Sequence, residues 1–254
     1  MRNWEDLVLK ALGAKDYRLT VLGTEKVGDH YHRLLVDGGG LLEACGVHPT
    51  MWIRLWFDND GKAHQRAYTL VDPDPSTGRF GLEFAVHDGV AVKWALGAAA
   101  GDTIDATMYG SSFALPDPLP ARFCMVGDAA SVPAANSLFD ALFEAAPDVP
   151  ASVWLEYAHD EERDLPLRAR DHHTVTWVPR KDGGQLLADT VCAELIPGAD
   201  DAFYWVASEA KSNRAISRHI RKTLGAPKQR LYSMAYWGAR CMAGDSRHAL
   251  CFMF

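Results

Sequence analysis

The sequence predicts two domains of different class: an antiparallel β-barrel over residues 1–118, followed by a parallel-sheet α/β domain over residues 119–254. Three observations carry this expectation. The first half alternates short β-branched and aromatic runs with turn signals, and only one helical stretch interrupts them. The second half changes period, its apolar runs being separated by helical patterns, as strands of a parallel sheet with helices on both faces require. Between the halves lies Leu115-Pro116-Asp117-Pro118-Leu119-Pro120, a stiff proline-rich connector.

Taken in order, residues 1–12 read as a short helix outside the barrel. Barrel strands are expected at residues 17–23, 31–36, 51–57, 67–71, 80–86 and 103–108. Asp37-Gly38-Gly39-Gly40, Asn59-Asp60-Gly61 and Asp72-Pro73-Asp74-Pro75-Ser76-Thr77-Gly78 supply turns between them. The interposed helix falls at residues 90–98. In the second half, strands are expected at residues 123–126, 153–157, 173–178, 203–206 and 231–235. Helices are expected at residues 132–143, 184–194 and 209–224.

Composition narrows the class of function. The 254 residues are 48% hydrophobic and 23% charged, ordinary proportions for a globular chain. A net charge of −7 argues against non-specific nucleic-acid binding, while leaving room for a local basic pocket. No apolar run reaches the length of a membrane span, and Met1-Arg2-Asn3-Trp4-Glu5 lacks a secretory h-region, so the cytoplasm is the expected location. Cys45, Cys124, Cys192, Cys241 and Cys251 are dispersed and form no Cys-x-x-Cys, which gives no support to a zinc ribbon or an iron–sulfur cluster. His30 with His32, and His172 with His173, lack a third ligand in the pattern, so no protein-built metal site is expected. Electron transfer by such a chain has to run through an organic cofactor.

The residues point to which one. Gln65-Arg66-Ala67-Tyr68-Thr69-Leu70 puts a guanidinium, a phenol and a hydroxyl on one strand. Alone, this reads as an ordinary edge strand with a surface arginine. His87-Asp88-Gly89-Val90-Ala91-Val92-Lys93-Trp94-Ala95 changes the reading, because a glycine there opens a helix after the next strand. A flavin needs that combination: an arginine for its diphosphate, an aromatic shelf for its ring, and free helix N–H groups for anionic oxygens. Gly110-Ser111-Ser112, after Tyr109, suits a loop beneath an adenine, or is a polar turn.

In the second half, Gly127-Asp128-Ala129-Ala130-Ser131-Val132-Pro133 follows the first strand, with Ser131 as expected N-cap and Pro133 in the first helical turn. A glycine turn at the carboxyl end of a parallel strand is where open α/β sheets bind nucleotides. Ser208-Glu209 ends a later strand, and Glu209 suits a helix start or a ribose hydroxyl. Arg214 and Arg218 share one face of a basic helix, and serve either a 2′-phosphate or solvent. Lys93, Arg240 and Arg247 are candidate contacts for an anionic substrate, with surface solubility as the alternative. No acid–base triad is expected.

Together these motifs resemble the siderophore-interacting FAD-binding family of the ferredoxin-reductase superfamily. The likeness runs from about residue 17 to residue 244, and its sub-branch resembles the FAD domain fused to mycobacterial iron–siderophore transporters. It rests on Arg66-Ala67-Tyr68-Thr69, the His87–Ala91 stretch, Gly127-Asp128, Ser208-Glu209 and Tyr236-Trp237. The resemblance implies a ferredoxin-reductase-like fold, with FAD on the barrel and NADPH or NADH on the α/β half. It implies cofactor contacts at Arg66, Ala67, Tyr68, Thr69, His87, Gly89, Val90, Ala91, Val92, Gly110, Ser111 and Ser112. In the second half it implies them at Gly127, Asp128, Glu209, Arg214, Tyr236 and Trp237. The implied activity is reduction of ferric siderophores, and the implied partners are the siderophore and an iron–siderophore ABC transporter. The alternative is a flavoprotein module that docks on siderophores or a transporter and takes electrons elsewhere. Departures from the family pattern fall at Val71, Val92, Ala130, Ser208 and Gly238. The apolar tail ending at Phe254 is expected to dock, by ordinary packing or over the flavin.

Overall fold

The computed structural model describes residues 14–59, 61–196 and 201–238, and its chain divides into two compact units, Met1–Ala114 and Leu115–Phe254. The expected helix over residues 1–12, together with Arg240, Arg247, Cys241, Cys251 and Phe254, lies outside the described residues.

In the first unit, six strands close into a barrel. They are β1 (Lys15–Gly28), β2 (Tyr31–Asp37), β3 (Trp52–Asn59), β4 (Lys62–Asp74), β5 (Arg79–Ala85) and β6 (Thr103–Met108). The order is β1-β2-β5-β4-β3-β6, with every neighbouring pair antiparallel. Alternation along the strands sends Leu19, Leu34, Ile53, Leu55, Leu70, Leu82 and Phe84 into one core, each at most 1% exposed. Closure removes the strand edges that would otherwise pair with other chains. Two helices accompany the barrel, α1 (Leu41–Cys45) and α2 (Val90–Gly97). The second buries Ala91 and Ala95 in the barrel core and sets Trp94 against it.

The turn expected at residues 37–40 leads straight into α1, a helix too short to show a period in the sequence. Gly39 is fixed there twice over: its φ is +57°, and a Cβ would sit 2.4 Å from the Arg18 carbonyl oxygen.

In the second unit, β7 (Arg122–Asp128), β8 (Ala151–Tyr157), β9 (Thr174–Pro179), β10 (Ala202–Glu209) and β11 (Leu231–Trp237) form one sheet. Its order is β11-β10-β7-β8-β9 and every pairing is parallel. Helices α3 (Val132–Ala145), α4 (Gln185–Glu194) and α5 (Ala210–Lys222) connect the strands. Leu187 and Val191 of α4 and Ile216 and Ile220 of α5 pack with Cys124, Val126, Trp154 and Val206 on one face. Strand alternation turns Phe123, Met125, Val153, Leu155, Phe203 and Trp205 to the other face, where α3 contributes Leu138, Phe139 and Leu142. The strand order reverses between β7 and β10, which places a switch point at their carboxyl ends.

One local expectation is corrected. Ser131 sits at the N-cap position of α3 but makes no side-chain cap. A 3₁₀ turn, Ala129–Ser131, precedes that helix and turns the hydroxyl backwards. Ser131 Oγ accepts from the Asp128 N–H at 2.8 Å and donates to the Asp128 carbonyl at 2.9 Å. The space for this exists because Gly127 has no side chain; a Cβ there would lie 2.1 Å from Ser131 Oγ. Gly127→Ala is expected to lower stability by about 1–3 kcal/mol, the usual cost of overpacking. In urea unfolding, Gly127→Ala combined with Ser131→Ala should cost less than the sum of the two single changes. Strict additivity would refute the steric explanation.

Candidate functional site

On the barrel, β4 sets the geometry. Arg66, Tyr68 and Leu70 share one strand face, and Leu70 enters the core while Tyr68 packs at its margin, half-buried. The Tyr68 ring lies 4.3 Å from Phe84 and 6.3 Å from Phe57, and Phe57 lies 5.7 Å from Trp94. An aromatic surface is therefore locked in place by the core behind it. Burial pushes the Tyr68 hydroxyl well above the usual phenol range, with the Arg66 charge pulling the other way. Ala67 and Thr69 face the opposite side, Ala67 exposed and Thr69 buried.

The segment after β5 brings a second group to Arg66. Burial lowers the His87 pKa, the Asp88 backbone opposes this, and the Arg66 charge lowers it again, so the imidazole is neutral near pH 7. Its ring folds over Gly89, where a Cβ would lie 2.5 Å from His87 Cε1. Gly89 has an extended φ of −147°, so no left-handed backbone requires glycine there, and a side chain would have only to displace the exposed His87 ring. Gly89 caps α2 without a side-chain hydrogen bond, and no acid stands in the first turn. The first N–H taken up inside the helix is that of Lys93, which donates to the Gly89 carbonyl at 2.9 Å. The N–H groups of Val90, Ala91 and Val92 are left for an anion. Lys93 itself is exposed and ion-paired with Asp88 at 2.7 Å. Gly110 turns with φ +77° after β6, and Ser111 Oγ accepts from the Trp52 N–H at 3.0 Å while lying 3.2 Å from His48 Nε2. Ser111 thus anchors the start of β3, and Ser112 stays exposed. The donor set around Arg66 fits a flavin diphosphate.

The carboxyl edge of the parallel sheet is built differently. Asp128 ends β7 and accepts from the Ala130 N–H at 3.1 Å and from the Trp237 indole N–H at 2.8 Å. Glu209 ends β10 and accepts from the N–H groups of Lys211 and Ser212 at 2.6 and 3.3 Å. Both turns at the switch point are therefore closed by their own carboxylates. Arg180, just beyond β9, places its guanidinium 4.6 Å from the Trp237 ring centroid and hydrogen-bonds Glu156 at the end of β8. Trp237 belongs to the edge strand β11, so its indole lies across the ends of the intervening strands. Among the described residues, Glu156 Oε1 is buried and makes no hydrogen bond. Gly184, with φ +88°, fits against it; a Cβ there would come within 3.4 Å of that oxygen. Burial pushes the Asp128 carboxyl up to about 7, opposed by the Trp237 hydrogen bond and reinforced by Glu156. Burial raises Glu156 as well, against the pull of Arg180.

The expected residues therefore divide into groups. Arg66, Tyr68 and His87 come together near the open start of α2. Gly127, Asp128, Glu209 and Trp237 come together at the sheet edge, with Tyr236 set edge-on to Trp205 at 6.4 Å. Arg214 and Arg218 do not join them; they are exposed on the outer face of α5. Glu156 and Arg180 were not anticipated. The signal for Glu156 was an acid closing an otherwise apolar strand; Arg180 carries no local mark.

Two family models match the chain. Residues 16–109 match the siderophore-interacting FAD-binding domain and residues 120–240 the siderophore-interacting protein family. The chain belongs to the siderophore-interacting FAD-binding family. It is 33% identical over 255 residues to the mycobactin import ATP-binding/permease protein IrtA of Mycolicibacterium thermoresistibile, covering 97% of this chain and 27% of that protein. The family member thus spans less than a third of that curated relative. It is 26% identical over 243 residues to the NADPH-dependent ferric-chelate reductase of Escherichia coli, covering 87% and 92%. Among solved structures, the siderophore-interacting protein of Acinetobacter baumannii superposes with a TM-score of 0.75 at 19% identity, covering 89% and 91%. A ferredoxin NADP+ reductase from Neisseria gonorrhoeae gives 0.60 at 12% identity, covering 87% and 99%, and places the fold in the ferredoxin-reductase-like class.

For this family member, Arg66→Ala is expected to weaken FAD binding by about ten- to a hundredfold, from roughly 1.5–3 kcal/mol for a charge-assisted hydrogen bond. Flavin fluorescence during titration of the apoprotein reads the loss; unchanged affinity would remove Arg66 from the site. The Asp128 shift fixes a pH dependence. Its folded pKa of about 7 lies above the reference 3.8, so the native state holds an extra proton between them. Stability therefore falls as pH rises through this window. Asp128→Asn, which keeps an acceptor for Trp237, should match the wild type in melting temperature near the low end and exceed it above pH 7. A constant difference across the window would contradict the assignment.

Proposed function

We propose that this chain is an FAD-dependent ferric-siderophore reductase that passes electrons from NADPH or NADH to siderophore-bound Fe(III) and releases Fe(II). The observation that carries the reading is the uncapped start of α2 beside Arg66, Tyr68 and His87, in a barrel that matches an FAD-binding family model. FAD supplies the conversion of a two-electron hydride into single electrons, which iron requires. The chain's own part is positional. Arg66 and the N–H groups of Val90, Ala91 and Val92 hold the diphosphate, and neutral His87 adds no charge beside it. Tyr68, backed by Phe84 and Phe57, gives the ring a fixed shelf. Thr69 and Gly110 to Ser112 complete the proposed flavin contacts, and Lys93, Arg240 and Arg247 the proposed contacts to an anionic siderophore. Fe(III) is hard and tightly held by oxygen donors, whereas Fe(II) is softer and held less tightly, so reduction alone loosens the ligand. Gly127, Asp128, Glu209, Tyr236 and Trp237 are proposed for the nicotinamide side. A cytoplasmic site of action beside an iron–siderophore ABC transporter accords with the IrtA likeness.

A second reading has a specific observation behind it. Asp128 and Glu209 already occupy the turn N–H groups at the switch point. Dinucleotide phosphates have no free helix start there, which favours a flavoprotein module reduced by another donor.

One experiment separates the two. Oxidised holoprotein is mixed anaerobically with NADPH or NADH, then with a ferric siderophore and a ferrous chelator, with free flavin as the control. The proposal expects bleaching by a nicotinamide, followed by ferrous-chelate absorbance faster than free flavin gives. Bleaching only by dithionite, with iron reduction intact, returns the externally reduced module. Reoxidation no faster with the siderophore than without it ends the reductase claim.

A further inference from the structure

We propose that the outer face of α5 is a docking surface for an anionic phospholipid bilayer. The helix contains no acidic residue, and Lys211, Arg214, Arg218, Arg221 and Lys222 are exposed on it. At 100° per residue these five fall on one face, while Ser212, Asn213, Ile216 and Ile220 are buried towards the sheet. Arg214, Arg218 and Lys222 repeat every four residues, a like-charge spacing that works against an isolated helix. His219, Arg221 and Lys222 lie in the last turn and suit the helix dipole; Arg214 and Arg218 have no such compensation. None of the five is held in an ion pair among the described residues. In a chain of net charge −7, five of the 26 lysines and arginines share this one helix face.

The surroundings identify the partner. A groove of about 510 Å³ runs beside Arg214 and Arg218 to Pro227 and exposed Lys228, ahead of β11. It leads from the body of α5 towards the amino edge of the sheet, away from Asp128, Glu209 and Trp237. Beyond Ala226 and Pro227 a second hollow of about 330 Å³ continues to Ile196. Ile196 is 61% exposed, a large apolar side chain at the hollow that shares Ala226 and Pro227 with the basic groove. Arg214 and Lys222 are about 12 Å apart along the axis at 1.5 Å per residue. One phosphate is saturated by one or two guanidinium groups, so an open row of this length addresses several phosphates at once. Cations flanked by an apolar side chain match the headgroup layer and the acyl boundary beneath it, respectively. Asp201, at the rim of the second hollow, is taken up by Arg230 and does not oppose the row.

Flotation of the FAD-loaded protein with vesicles tests this independently of any reductase activity. Binding is expected to vesicles of phosphatidylcholine with phosphatidylglycerol, not to phosphatidylcholine alone, and to be lost in high salt. Arg214→Gln with Arg218→Gln should weaken binding about thirtyfold, at roughly a factor of five per cation. Arg214→Lys with Arg218→Lys should keep it, because a bilayer reads point charge. Ile196→Ser should weaken binding without changing its salt dependence. Retained flavin absorbance and an unchanged melting temperature confirm that the variants fold. Equal flotation with both vesicle types overturns the proposal. Release by low inorganic pyrophosphate, with loss of binding in the lysine variant, overturns it in favour of a bidentate phosphate site. Salt-sensitive binding to an acidic polypeptide but not to vesicles overturns it in favour of a protein partner.

Discussion

Backbone N–H groups at the start of a helix have no partner inside it, and their satisfaction governs what each half of this chain can bind. The two units meet the demand in opposite ways. At α2 the cap is Gly89, no side chain reaches back, and no acid stands in the first turn. At the sheet edge Asp128 and Glu209 turn their carboxylates onto the nearest N–H groups. An open start attracts anionic oxygen; a closed one repels it and fixes the turn instead. The barrel's helix start is thus left open, and the sheet's turns are closed by their own side chains.

The closed edge has its own electrostatic cost. Asp128, Glu156 and Glu209 are all at most 5% exposed, and Arg180 hydrogen-bonds Glu156 and acts through its charge on Asp128. Burial of several carboxyls around one cation is sustainable only if protons or hydrogen bonds relieve the surplus charge. Asp128 and Glu156 accordingly bind protons more readily than free carboxyls do. The same network fixes Trp237, whose indole is hydrogen-bonded by Asp128 and faced by Arg180. An aromatic held at both its edge and its face is an ordered surface.

Much of this was legible in the residues. Every expected strand and every expected helix within the described residues occurs, because period two and period 3.6 were clearly separated along the chain. The Arg66-Ala67-Tyr68-Thr69 strand and the Gly89 helix start were also readable, since their chemistry is local. What stayed hidden depends on contacts between distant segments. Gly89 was legible as a special glycine, but the ring that lies against it belongs to His87. Gly127 was legible as a tight glycine turn, but the side chain for which its missing Cβ makes room, Ser131, was not. Glu156 and Arg180 meet only because β8 and β9 are neighbours, a pairing no spacing rule reveals. The short helix α1 was hidden for another reason: five residues are too few to display a period.

Arg214 and Arg218 show most plainly how topology reassigns a readable motif. In sequence they follow Glu209 closely, which suggested one nucleotide site for all three. The helix separates them, because Glu209 stays at the carboxyl edge while each turn carries the chain about 5.4 Å towards the opposite edge. Hydrophobic burial of Ile216 and Ile220 fixes which face looks outward, and the cations necessarily occupy it. The α/β unit therefore has two chemically distinct ends: an acidic, closed edge around Trp237 and a basic, open face along α5.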